Sequence, residues 1–184
     1  SSLLASAVNC TELVAPVDAA PIRSPQAVHT IIARRIAGRS IVEIGTRNGD
    51  GMACMSQVAS SAVAVEMSAA YCAKLRERAS ALRNANGHTF RVVCHDYRTA
   101  PGLDADVFTW WQETPHLHNP AVLLQLRRLQ LAGRIRDEDE APSIIQCLFK
   151  PGEQNIALRA GHGSCLFRHI NLTHVQETLA PAGR

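Results

Sequence analysis

Apolar residues are spaced in two ways along the chain, and the two spacings alternate. Val28, Ile32 and Ile36 recur at helical spacing, and Gly38 follows them. The next apolar run, residues 40–45, is short and rich in β-branched side chains, which predicts a buried strand. Helix-like and strand-like runs keep alternating as far as residue 150. This alternation is typical of βαβ units.

The alternation predicts a series of strands and helices. The predicted strands are residues 40–45, 62–66, 90–94, 106–110 and 143–149. The predicted helices are residues 24–38, 52–59 and 68–83 and a leucine-rich segment beginning at Asn119-Pro120, with a solvated loop over 134–140. After residue 150 two short strand-like runs, 156–160 and 164–170, are joined by residues 161–163, which predicts a β-hairpin.

The predicted fold class is therefore α/β, with a doubly wound, mostly parallel sheet and helices on both faces. The C-terminal hairpin indicates that the sheet is abbreviated at that end. A length of 184 residues suits one domain, which we expect over residues 24–184 after an N-terminal extension, 1–23. The extension lacks a basic start and is not typical of a signal peptide. The chain does not begin with Met, as expected of a processed or trimmed form.

Composition narrows the class of protein. Hydrophobic residues make up 46% and charged residues 19%, which excludes a disordered chain. The sequence holds no run of the roughly 18 apolar residues that a membrane span needs. A net charge of +3 is too small to imply a polyanionic partner, so charge alone does not indicate nucleic-acid binding.

The cysteines are widely and irregularly spaced among apolar neighbours, and they form no C-x-x-C pair. They are Cys10, Cys54, Cys72, Cys94, Cys147 and Cys165. This pattern predicts buried free thiols and hence a reducing intracellular compartment, with the cytoplasm favoured and an organelle left open. No metal site is predicted, because His116 and His118 form the one close histidine pair and lack a second pair of ligands at the usual spacing.

The segment after the first predicted strand is rich in glycine and carries an acid. Glu43 stands two residues before Gly45, and Gly49 follows four residues later. The spacing differs from G-x-G-x-x-G and from the P-loop, both of which cradle phosphates. A carboxylate at this place repels phosphate and attracts an ammonium or sulfonium group.

Residues 42–49 match the first motif of the class I S-adenosylmethionine-dependent methyltransferases, and the sequence resembles that family over about residues 24–150. The family often has a glycine where Arg47 stands. It places an acid at the end of the second strand, where Glu66 stands, to hold both ribose hydroxyls. It commonly has an acid or amide facing the adenine amino group after the third strand, where His95-Asp96 stands. Met67 matches a position that packs on the adenine face.

The resemblance implies S-adenosylmethionine as the cofactor, and it implies a set of residues that contact it. These are Glu43, Gly45, Thr46, Gly49, Glu66, Met67, His95, Asp96 and Trp110. Some of them have alternative interpretations. Glu66 alone is also a helix-start acid and Asp96 a turn cap. Trp110, with Trp111, forms either a wall of the site or part of the packing.

The resemblance implies methyl transfer, but it gives no class of acceptor. Residues 109–115, which face the acceptor in the family, lack the motif of amino-group methylation. Glu113, His116 and His118 are candidate bases or solvated loop residues, and no catalytic residue is assigned. The family has a helix after the fifth strand and then two more strands, and there is no room for that helix between residues 150 and 156.

A second class of function stays open on the same residues. The abbreviated C-terminal part, the absent acceptor motif and the arginine pairs at 34–35 and 127–128 suit a non-catalytic methyltransferase-like subunit. Such a subunit would have a structural or interaction role in a larger assembly, with other proteins as its partners. A shared fold does not by itself decide between the two.

Overall fold

Most of the described helices and strands lie within a few residues of where the apolar spacing predicts them, and a short helix at residues 10–13 was not predicted. The computed structural model describes residues 8–17, 26–112, 125, 128, 143–148 and 164–166. Its helices are α1 (Cys10–Leu13), α2 (Gln26–Ile36), α3 (Asp50–Met55) and α4 (Ala69–Asn86). Its strands are β1 (Ser40–Ile44), β2 (Ser61–Glu66), β3 (Arg91–Cys94), β4 (Val107–Gln112), β5 (Ser143–Leu148) and β6 (Ser164–Leu166).

The described strands form one sheet in the order β3-β2-β1-β4-β5-β6. The pairs from β3 through to β5 are all parallel, and β6 pairs antiparallel with β5. The chain moves outwards from β1 to β3 and then returns to the other side of β1 with β4, so the strand order reverses at β1. The mostly parallel α/β sheet predicted from the sequence is confirmed, and a reversal of this kind is where such sheets bind ligands.

Two buried clusters lie on opposite faces of the sheet. On β1, Ile41 belongs to the first cluster, whereas Val42 and Ile44 belong to the second. The first cluster includes residues from all four described helices. The second cluster packs Phe108 and Trp110 of β4 against residues 97–105. The helix predicted from Asn119, the loop 134–140 and the run 156–160 lie largely or wholly outside the described residues.

The described part of the N-terminal extension packs into the first cluster. Val8, Cys10 and Val14 are members of that cluster. The Cys10 N–H donates to Thr30 Oγ1 at 2.9 Å, and Arg34 Nε donates to the Val8 carbonyl at 3.0 Å. The segment is therefore bound to α2 by both apolar and polar contacts. No helix in the described part of the chain is long and apolar enough to cross a membrane.

Four cysteines form two disulfide bonds, so the prediction of free thiols is wrong for them. Cys10 bonds to Cys54 with Cα atoms 5.5 Å apart, and Cys72 bonds to Cys94 with Cα atoms 5.7 Å apart. Bridging depends on this spatial proximity, which wide spacing along the chain conceals. Cys147 and Cys165 are Cα partners in the β5–β6 register. The argument from free thiols for a reducing compartment therefore loses its support.

A buried polar cluster lies beneath the loop that follows β1. His29 of α2 is 1% exposed, and its Nδ1 lies 3.0 Å from Gln26 Oε1. Asp50, 3% exposed, accepts the Val17 N–H at 3.0 and 3.1 Å. Arg78 of α4 donates to Asp50 Oδ1 at 2.6 Å. The cluster joins the N-terminal segment, α3 and α4.

Burial governs the protonation of His29. Desolvation lowers the pKa of its imidazole from 6.5 to about 4. The Asp50 carboxylate raises the pKa and the Arg78 guanidinium lowers it further, but both effects are smaller than that of burial. The imidazole is therefore neutral at pH 7.

The pH dependence of stability follows from the low pKa of His29. Below about pH 6.5 the unfolded chain binds a proton that the folded chain does not take up until about pH 4. We expect the free energy of unfolding to fall by about 3 kcal/mol as the pH drops through this window. His29→Gln, which keeps a hydrogen-bonding side chain without a titrating group, should remove most of that loss. Urea unfolding at pH 6.5, 5.5 and 4.5 measures it. If the free energy of unfolding falls equally steeply with pH in the native chain and in the variant, the loss does not come from His29.

Gly49 caps α3 in a left-handed conformation and touches α4. Its φ is 77°, which is costly for any residue with a side chain. A Cβ at this position would lie 2.6 Å from Leu75 Cδ2, well inside contact distance. Glycine is therefore required at this position for two reasons, the left-handed backbone conformation and the close packing of α4 on the loop.

Gly87 provides a matched control for Gly49. It ends α4 with a φ of 78°, and a Cβ there would meet nothing within 4 Å. We expect Gly87→Ala to cost about 1 kcal/mol from the backbone alone. Gly49→Ala should cost about 2–4 kcal/mol, because overpacking against Leu75 adds to the same backbone cost. Denaturant unfolding compares the two variants, and equal losses would rule out the packing contribution.

Candidate functional site

The loops that follow β1, β2 and β3 meet at one edge of the sheet. The Gly45 N–H donates to the Val65 carbonyl at 2.9 Å, and the His95 N–H donates to the Glu66 carbonyl at 2.9 Å. Both bonds continue the parallel ladders one residue beyond β1 and β3. The structure thus brings together Gly45, Glu66 and His95, which the sequence placed after three separate strands.

The Glu66 carboxylate links two of these loops. Its Oε2 accepts the Arg47 N–H at 3.0 Å, and its Oε1 accepts the Ser68 N–H at 2.9 Å. The side chain is only 7% exposed, because it lies between the two loops. A carboxylate has about four acceptor positions, so each oxygen keeps the capacity for another hydrogen bond. The group can therefore accept two more donors that are held side by side.

The loop after β1 is held in shape by its own backbone. Thr46 Oγ1 donates to the Glu43 carbonyl at 3.2 Å, and the Gly49 N–H donates to the Thr46 carbonyl at 3.1 Å. Gly45 has a φ of 76° and Arg47 a φ of 52°. Arg47 thus adopts a conformation that glycine reaches without cost, at the position where the related motif often has glycine.

The Arg47 side chain is anchored on α4, a contact that sequence reasoning missed. Its Nε and Nη2 donate to the Tyr71 hydroxyl at 3.3 and 3.1 Å, and its guanidinium carbon lies 5.4 Å from the ring centroid. The Lys74 ammonium lies 5.6 Å from the same centroid. In the sequence, Tyr71 stands four residues before Leu75, a spacing that by itself indicates only a shared helix face. Its part in anchoring the loop depends on a contact 24 residues away in sequence.

Asp96 and His95 form a tight turn after β3. Arg98 Nε donates to both Asp96 oxygens at 3.0 Å, and the Arg98 N–H donates to Oδ1 at 2.9 Å. The hydrogen bonds from the Arg98 side chain, and then from its backbone, lower the pKa of Asp96 to about 2. His95 is exposed, and its Nδ1 lies 3.1 Å from Thr99 Oγ1. Asp96 therefore presents an ionised carboxylate that a local arginine already contacts.

Glu43 lies beneath the loop and is 1% exposed. Its Oε1 lies 3.1 Å from where a Gly51 Cβ would stand, and His29 Nε2 lies 3.0 Å from the same point. In the strand register it is the Cα partner of Thr109, whose buried hydroxyl has no hydrogen-bond partner among the described residues. The structure therefore places Glu43 in a polar layer below the strand ends.

Two further predicted site residues differ sharply in exposure. Met67 is 75% exposed and follows Glu66 directly, so it presents an apolar surface at the edge of the sheet. Trp110 is 2% exposed and lies in the second buried cluster. The packing interpretation accounts for the burial of Trp110, and its contact with a cofactor stays a prediction. Residues 113–118, which include the candidate bases, lie outside the described residues.

The structure is similar to solved methyltransferase structures. A precorrin-6y C5,15-methyltransferase from Geobacter metallireducens matches with a TM-score of 0.55 and 12% identity, covering 78% of this chain and 71% of that one. A putative methyltransferase from Bacillus halodurans matches with a TM-score of 0.51 and 11% identity, covering 69% and 52%. A magnesium protoporphyrin IX methyltransferase from Synechocystis with bound SAM matches with a TM-score of 0.49 and 14% identity, covering 66% and 54%.

Identities this low establish a common architecture rather than a common activity. The chain spans about half the length of the Bacillus and Synechocystis proteins. No protein-family model matches the chain, and no curated protein matches it in sequence. The strand order, the loop after β1 and the matches with a TM-score above 0.5 agree with one another. The chain has the α/β fold of the class I S-adenosylmethionine-dependent methyltransferases.

Proposed function

We propose that the protein binds S-adenosylmethionine at the edge formed by the ends of β1, β2 and β3, and that it transfers the methyl group to an acceptor. The observation that carries the proposal is the Glu66 carboxylate, which lies between the two loops with acceptor capacity remaining on both oxygens. A vicinal diol presents two donors at the spacing that one carboxylate accepts. Glu66 is thus the proposed ribose ligand.

The adenine end of the cofactor is assigned to Met67, which follows Glu66, and to His95 and Asp96 in the turn after β3. Met67 offers an apolar surface, 75% exposed, for the face of the base. Asp96 offers an ionised carboxylate to the exocyclic amino group, and the exposed His95 borders the same turn. Arg98 contacts both Asp96 oxygens. The adenine amino group would therefore either share the carboxylate with Arg98 or displace the Arg98 side chain from it.

The methionine end is assigned to the loop after β1. Gly45 has no side chain at the strand end, and its positive φ turns the backbone away from the sheet. Thr46 and Gly49 hold the loop in this shape through their mutual hydrogen bond. Glu43 is buried under the loop, and the proposal assigns it as the acid that favours an ammonium or sulfonium group there.

S-adenosylmethionine, when bound, supplies a methyl group already activated by its sulfonium centre. The work of this chain is then to bind the nucleoside, fix its orientation and exclude water, since alignment of the reacting groups can supply a large part of a rate enhancement. A general base is needed only where the acceptor must lose a proton. The class of acceptor is not assigned, because residues 109–115 lack the motif of amino-group methylation and residues 113–115 lie outside the described residues.

The binding proposal is tested with S-adenosylhomocysteine, the demethylated product, by calorimetry and by thermal unfolding. We expect the native chain to bind it, and Glu66→Gln to bind about tenfold to a hundredfold more weakly, as expected for the loss of hydrogen bonds to a charged group. The amide keeps an acceptor oxygen for one of the two backbone N–H groups and loses it for the other, so urea unfolding without ligand measures the loss of stability separately from the loss of binding. Glu77→Gln, an exposed acid on α4, is the matched control and should bind normally.

The titration also separates the enzyme from the alternative of a structural subunit. Ligand at 100 times its Kd adds about 2.7 kcal/mol to the free energy of unfolding, which gives a clear shift in Tm. A native chain that shows no shift with either S-adenosylmethionine or its product would overturn the proposal. That outcome would favour a methyltransferase-like scaffold whose partners are other proteins.

A further inference from the structure

The disulfide between Cys72 and Cys94 lies within the proposed nucleoside site. Cys94 is the last residue of β3 and the Cα partner of Glu66 in the parallel register. Cys72 Sγ lies 3.3 Å from the Glu66 carbonyl oxygen, the same atom that accepts the His95 N–H. The bond thus connects α4 to β3. The proposed ribose ligand Glu66 lies just before α4, and the proposed adenine-binding residues His95 and Asp96 follow β3.

The two disulfides differ in their exposure to an attacking thiol. Cys10 and Cys54 are both 0% exposed. Cys72 is also 0% exposed, whereas Cys94 is half-buried and is the most exposed residue of these four. Thiol–disulfide exchange needs a thiolate to approach a sulfur along the S–S bond. A dithiol reductant should therefore reach Cys94 while the bond between Cys10 and Cys54 stays closed.

We propose that the Cys72–Cys94 disulfide is a reducible control element of the nucleoside site, which binds tightly when the bond is closed and weakly when it is open. This inference rests on the proposed function. A thiolate of an external dithiol attacks Cys94, the S–S bond breaks, and Cys72 leaves as a thiolate that takes up a proton. The second thiol of the reductant then displaces Cys94, so the reductant becomes a disulfide and the protein gains two thiols.

The direction of the effect follows from pre-organisation. With the bond closed, the first turn of α4 is tied to the end of β3, which helps to hold the Ser68 N–H against the Glu66 carboxylate before any ligand arrives. With the bond open, the backbone hydrogen bond from His95 to Glu66 still joins the two loops directly, but only the chain through residues 87–90 connects α4 to β3, and no cross-link holds the first turn of α4. The ligand must then restrict that freedom itself, which reduces its affinity.

The experiment compares binding of S-adenosylhomocysteine to the oxidised chain and to the chain treated with dithiothreitol. Alkylation and peptide mapping identify which cysteines have become thiols. We expect reduction at Cys72 and Cys94 to weaken binding about fivefold or more, the lower end of ordinary coupling between two sites. The double variant Cys72→Ala/Cys94→Ala should bind like the reduced chain in either condition. Cys10→Ala/Cys54→Ala is the matched control and should keep the full response to reductant.

A second measurement uses the native chain alone and does not depend on the variants folding. Coupling is reciprocal, so the ligand must protect the disulfide by the factor by which the disulfide strengthens binding. A fivefold effect on affinity corresponds to a shift of about 20 mV, to more negative potential, in the reduction midpoint of the Cys72–Cys94 pair. Saturating S-adenosylhomocysteine should produce that shift at Cys72–Cys94 and none at Cys10–Cys54.

The outcomes that overturn the inference are distinct from failure of the proposed function. Equal affinity in the oxidised and reduced chains would overturn the inference and leave the proposed function standing. Loss of the helical circular dichroism signal on reduction would also overturn it, because the effect would then be general unfolding. Absence of binding in both states would remove the proposed function and this inference together.

Discussion

The geometry of the proposed site depends on one buried carboxylate, which accepts hydrogen bonds from two backbone N–H groups. Glu66 ends β2, and its oxygens receive the N–H of Arg47 from the loop after β1 and that of Ser68 from the start of α4. Each loop would otherwise have an unsatisfied donor close to the core, and such a donor is costly to bury. The carboxylate therefore fixes where the two loops lie before any ligand is considered. The proposed ribose ligand is thus also a structural link between the two loops.

A second polar layer supports the loop from below. His29 and Asp50 are buried there beside Arg78, which also donates to the Asn48 carbonyl at 3.0 Å. Buried polar groups of this kind are tolerated only where their partners are in place, and they then favour one arrangement over others. The loop is thus held from above by Glu66 and from below by Arg78. The imidazole is neutral in this layer because burial penalises its charged form more than the nearby Asp50 carboxylate favours it.

Much of the fold follows from local pattern, and much of the site does not. Apolar spacing predicted β1 to β4 to within a residue or two, and parallel order then places Gly45, Glu66 and His95 side by side. The partners of those side chains are chosen by tertiary distance, which one sequence does not contain. The anchoring of Arg47 on Tyr71 and the pairing of Cys72 with Cys94 belong to this class. The sequence allows Trp110 either to line a binding site or to pack in the core. Its burial, which only the fold reveals, favours packing.

The N-terminal segment has a consequence for how the protein can be divided. A domain beginning at residue 24, as the sequence suggests, would discard Cys10 and the two apolar residues that flank α1 in the first cluster. Asp50 would lose the Val17 N–H, and Arg78 would lose the Ala15 carbonyl that it contacts at 3.2 Å. A fragment that begins at residue 24 would expose the ion pair between Asp50 and Arg78 and would leave Cys54 as an unpaired thiol, both close to the loop after β1. Residues 8–17 are thus integral to the folded unit, and the boundary for any excised version lies upstream of them.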